Sequence, residues 1–70
     1  MTIYELKRRN VANGGKFFSR EAMKLWGDTL KDLSVKRDVD PAQVVVTRKR
    51  TGHSWRFNRE TGRMVAPLRA

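Results

Sequence analysis

Gly14-Gly15-Lys16-Phe17-Phe18-Ser19-Arg20-Glu21-Ala22-Met23-Lys24-Leu25-Trp26-Gly27-Asp28-Thr29-Leu30 carries the clearest helix signal in the chain, and the other residues group around it. The paired glycines break whatever precedes them, because glycine favours neither regular conformation. Ser19 suits an N-cap, its hydroxyl accepting from free amides of the first turn. Phe18 and Met23 then occupy the positions of a hydrophobic staple, and Glu21 meets the positive end of the helix dipole. Met23, Trp26, Leu30 and Leu33 recur at spacings of three, four and three, widened by Ala22 and Leu25. Lys24, Asp28, Lys31 and Asp32 line the opposite side, where i,i+4 pairs form. The spacing predicts a helix over 19–32, with Gly27 as a flaw worth about 1 kcal/mol against alanine.

Upstream, residues 2–12 predict a second, shorter helix. Thr2 is its cap and Glu5 the capping-box partner, while Ile3 and Leu6, with Tyr4 and Val11, supply an apolar side. Asn13-Gly14 stops it. Downstream the pattern changes to strands. Gln43–Arg50 holds three consecutive valines and a threonine, and Ser54–Asn58 alternates polar and aromatic residues. Arg59-Glu60-Thr61-Gly62 reads as a hairpin turn closed by a left-handed glycine, and Arg63–Val65 as a short third strand. Ser34–Arg37 is a weaker extended segment before the Asp38-Val39-Asp40-Pro41 turn. The expected fold is α+β: one or two N-terminal helices packed on a small antiparallel three-stranded β-meander, one domain over 1–70, with 66–70 as a loose tail. Trp55 and Phe57 are expected to face the helix, alongside one of the two valine rows. If Val44 and Val46 point inward, Val45, Thr47 and Lys49 point outward beside Ser54, Arg56 and Asn58 and form a polar, basic outer face.

The net charge is +9 on seventy residues. The first forty residues carry nine Lys/Arg and six Asp/Glu, the last thirty seven and one, so most of the excess lies in the C-terminal part. That asymmetry favours an anionic partner. Arg48, Lys49, Arg50, Arg56, Arg59 and Arg63 are the candidate nucleic-acid-binding residues: such cations neutralise phosphates and release condensed counterions. DNA or RNA is the expected partner, with an acidic host protein as the alternative. There is no cysteine, so neither disulfide nor thiolate metal site is available, and no apolar run approaches a membrane span. With no secretory leader pattern either, a cytoplasmic location is expected. His53 stands alone at a hairpin tip and makes no zinc site. Ser19 has no neighbouring base, and no phosphate-cradling glycine loop is present. No enzyme, metal or cofactor is expected.

The run Gly15-Lys16-Phe17-Phe18-Ser19-Arg20-Glu21-Ala22-Met23-Lys24-Leu25-Trp26-Gly27-Asp28-Thr29 resembles a group of small uncharacterised proteins of phages and mobile elements. With it go Tyr4-Glu5-Leu6-Lys7, a basic strand and the Arg59-Glu60-Thr61-Gly62-Arg63 turn. Members of that group place an N-G-x-F-F-x-x-x-T-M-R-F-F-G-D-T type motif before a β segment. Here Ala22 stands in place of the usual threonine, and Leu25-Trp26 in place of the aromatic pair. The resemblance implies a phage or mobile-element accessory protein and brings no catalytic or binding residues with it.

Overall fold

The computed structural model describes residues 1–17, 20–27 and 30–68, with side chains as far as Val65. Helix α1 runs Ile3–Ala12. Thr2 caps it, its hydroxyl accepting from the Glu5 N–H at 3.2 Å. The Glu5 carboxylate does not close the capping box; it pairs instead with Arg9 at 3.0 Å. Ile3, Leu6 and Asn10 are buried, whereas Tyr4 and Val11 are exposed, so the apolar stripe is narrower than expected.

The long helix expected over 19–32 is replaced by one α-turn, α2 (Arg20–Met23), and a separate 3-10 turn at Leu30–Asp32. The chain tightens after Glu21. The N–H groups of Lys24, Leu25 and Gly27 bond to the carbonyls of Glu21, Ala22 and Lys24, three residues back instead of four. This rotation buries Ala22 and Leu25 and half-buries Trp26, while Met23 is exposed. An α-helix would set Met23 and Trp26 on one stripe; here they part. The expected Ser19 cap and Phe18 staple lie outside the described residues, as does Asp28.

Four strands follow in an antiparallel meander of order β1-β2-β3-β4: Leu33–Arg37, Gln43–Arg48, Ser54–Asn58 and Met64–Leu68. The fold is therefore α+β, with one strand more than the three expected. The added strand is β1, where Leu33 lies opposite Arg48 and Val35 opposite Val46. Leu33 ends the predicted helical stripe but begins this strand. β2 stops at Arg48, not at Arg50, because Gly52 (φ 75°) turns the chain and its N–H closes on the Arg48 carbonyl at 2.8 Å. β4 runs through Ala66, Pro67 and Leu68, which the sequence had suggested as tail. Proline is tolerated there because β4 is an edge strand. Pro67 lies opposite Trp55, and the ladder's alternation leaves its nitrogen on the open side.

The inner sheet face holds Trp55 and Phe57 as expected, and of the two valine rows it is Val44 and Val46 that are buried with them, joined by Leu33 and Met64. Leu6 and Ile3 from α1, with Ala22 and Leu25, complete the core. Phe17, Trp26 and Phe57 form a ring cluster with centroids 5.8 to 6.3 Å apart. Asn10 ties the layers together. Its Nδ2 donates to the Gly62 carbonyl at 2.7 Å, and its Oδ1 accepts from Trp26 Nε1 at 2.8 Å. Gly62 (φ 70°) sits so close to α1 that a Cβ would come within 2.8 Å of the Leu6 carbonyl and 2.9 Å of the Arg9 carbonyl carbon.

Candidate nucleic-acid interface

The six cations singled out from the sequence do not share one surface. Arg48 is the last residue of β2, and alternation with Val44 and Val46 turns it inward. It is buried, its guanidinium 5.4 Å from the centre of the Trp55 ring and 3.5 Å from a Glu21 carboxylate oxygen. Cation–π attraction and the ion pair together explain how a guanidinium is held there. This corrects the expectation that Arg48 faces solvent with its neighbours. The His53 ring also lies against Trp55, with centroids 4.3 Å apart.

Lys49 and Arg50 occupy the turn between β2 and β3. The Lys49 N–H donates to the Asp32 carbonyl at 2.7 Å, and its Nζ reaches the Lys31 carbonyl at 3.4 Å. Arg50 is 3.7 Å from an Asp32 carboxylate oxygen, yet its side chain remains 70% exposed. Lys31 is thereby brought beside them. No sequence signal pointed to Lys31, since a helix over 19–32 had assigned it to a solvated face.

Arg56 alone of the six lies on the outer sheet face. Cross-strand register sets it among Ser34, Lys36, Val45, Thr47, Ser54 and Asn58. Its Nε is 2.8 Å from an Asp38 oxygen, but the N–H is not aimed at it, so the contact is an ion pair and not a directed hydrogen bond. Thr47 and Ser54 hydroxyls bond across the strands at 2.8 Å. With Lys49 in a turn, the described outer side chains carry two cations, Lys36 and Arg56. The face is polar, not the basic sheet that was expected.

Arg59 and Arg63 sit at the opposite end of the sheet, around the β3–β4 turn. Asn58 shapes that turn, its Oδ1 accepting from the N–H groups of Glu60 and Thr61. The Arg59 carbonyl accepts from Arg9 Nη1 at 2.7 Å. Asp38, Asp40 and Glu60 occupy the neighbouring turns, so carboxylates are interleaved with the cations here. At the β2–β3 end, Lys31, Arg48, Lys49 and Arg50 meet only Glu21 and Asp32 among the described residues, and both carboxylates are already paired with arginine. The β2–β3 turn therefore carries an excess of positive charge.

Among the described residues no group of three or more His, Cys, Asp and Glu stands together as a metal site, and no helix is long and apolar enough to cross a membrane. Compared with protein-family models, curated proteins and solved structures, the chain matches none.

Proposed function

We propose that the chain is a non-enzymatic module that binds the phosphate backbone of DNA or RNA, with Lys31, Lys49 and Arg50 at the β2–β3 end as its principal contacts. The observation that carries this reading is the imbalance at that end, where the nearby carboxylates are taken up by arginines and Arg50 still presents most of its side chain to solvent. Arg56, Arg59 and Arg63 add to the long-range field that draws a polyanion in, and Arg48 serves the core. The resemblance to phage and mobile-element proteins suggests an accessory role in the cytoplasm of a host cell.

The test is fluorescence anisotropy with labelled single strands and duplexes of DNA and RNA over a series of salt concentrations. Binding is expected to weaken steeply with salt, because each neutralised phosphate releases counterions. The double charge reversal Lys49→Glu/Arg50→Glu is expected to flatten the slope of log K against log salt by roughly 2 for a duplex. An unchanged slope in that variant overturns the assigned surface. A stoichiometric protein partner whose capture survives nuclease, with no oligonucleotide binding, overturns the nucleic-acid reading itself.

A further inference from the structure

Strand β1 forms one edge of the sheet. The Lys49 N–H bond to the Asp32 carbonyl fixes the phase of the ladder between β1 and β2. Ser34 and Lys36 therefore bond to β2, while the N–H and C=O groups of Val35 and Arg37 face outward. No other described residue hydrogen-bonds to the main chain of Val35 or Arg37 on that side. At the Arg37 end of this edge, over the end of the β1–β2 hairpin, lies a groove of about 370 Å³ whose lining includes Met1, Val35, Lys36, Arg37, Val39 and Arg59. Val39 is fully exposed and Met1 42% exposed, so apolar surface lies unused next to open main-chain groups. The one carboxylate lining the groove, Asp38, is engaged by Arg56, which leaves Lys36, Arg37 and Arg59 uncompensated there.

We propose that the β1 edge and this groove bind an extended acidic peptide segment of a partner protein, which adds as a fifth strand. Its main chain pairs with the outward groups of Val35 and Arg37, and its side chains meet the apolar Val35 and Val39 and the cations Lys36, Arg37 and Arg59. Charge complementarity selects this occupant. A second copy of the chain brings the same +9 charge and the same Lys36-Arg37 pair to the contact, and is disfavoured for that reason. The groove lies towards the Arg37 end of β1, away from Lys31, so this site stands independently of the phosphate-binding reading.

The probe is acetyl-Glu-Val-Glu-Val-Glu-Val-Glu-amide, titrated into ¹⁵N-labelled protein, with its lysine-for-glutamate counterpart and an oligothymidylate alongside. Saturable shifts are expected at the amides of Val35 and Arg37, and none there with the lysine peptide. Lys36→Glu/Arg37→Glu is expected to weaken the acidic peptide at least about tenfold with amide dispersion intact, since both side chains are exposed. Val35→Pro removes an outward N–H and no β1–β2 bond, and is expected to abolish binding; if that variant does not fold, the charge reversal decides alone. Absence of saturable shifts at about 1 mM peptide overturns the proposal. So do equal shifts from the oligothymidylate at those amides, or a concentration-dependent dimer that shifts them without peptide.

Discussion

Replacing Asn10 by leucine, close to it in shape, strips both of its side-chain hydrogen bonds while keeping the helix and most of the packing. The Gly62 carbonyl and the Trp26 indole N–H each lose their Asn10 partner. An unsatisfied buried polar group costs about 1–3 kcal/mol. Gly62 is buried and incurs most of that penalty; Trp26 is only half-buried, and water relieves part of its share. The sum is about 3 kcal/mol, against a total stability of roughly 3.5–10 kcal/mol for a chain of this length. Urea unfolding followed by tryptophan fluorescence and circular dichroism measures it. The Trp26→Phe background isolates one half: with the indole donor gone, Asn10→Leu is expected to cost about 1 kcal/mol less. Asn10→Asp isolates the other, since a carboxylate still accepts from Trp26 but has no hydrogen for Gly62. A loss below about 1 kcal/mol for Asn10→Leu, or an identical loss in both backgrounds, refutes the claim that this one side chain fastens α1 to the β3–β4 turn.

Gly62→Ala drives a methyl group into the α1 backbone at a positive φ and is expected to lower stability by more than about 2 kcal/mol, or to prevent folding; a thermal shift of less than a few degrees counts against the close approach. Arg48→Met keeps the volume over Trp55 but removes the charge. It is expected to lower the unfolding midpoint modestly while leaving the salt slope of oligonucleotide binding unchanged, and a slope reduced as much as in the Lys49→Glu/Arg50→Glu protein contradicts an inward Arg48.

What the sequence revealed depended on how local the deciding interaction was. Thr2 and Glu5 mark the start of α1 within four residues, and the Arg59–Gly62 turn closes on itself through Asn58; both are readable from neighbours alone. The inner row of Val44, Val46, Trp55 and Phe57 follows from alternation. Residues 19–32 misled because their stripe fits an α-helix well, while the conformation is set at a distance. Trp26 must reach Asn10 and Leu25 must enter the core, and i→i+3 turns satisfy both. Edge strand β1 was hard to read because Leu33-Ser34-Val35-Lys36-Arg37 ends in two cations, and its pairing with β2 supplies what composition lacks. The single shared basic surface failed at the same point. Six cations close in sequence were taken as close in space, but strand alternation sends Arg48 and Arg56 to opposite faces and the hairpins carry Lys49 and Arg59 to opposite ends.

Pro67 gives the molecule a polarity of its own. A strand arriving from outside alongside Trp55's neighbour in β4 meets a ring nitrogen that has no hydrogen to offer, so zippering stalls on that flank. Side-by-side growth of the sheet needs two receptive flanks, one to receive and one to be received. With β1 the more receptive flank of the described sheet, lateral association is biased towards a single addition and against propagation into a fibre.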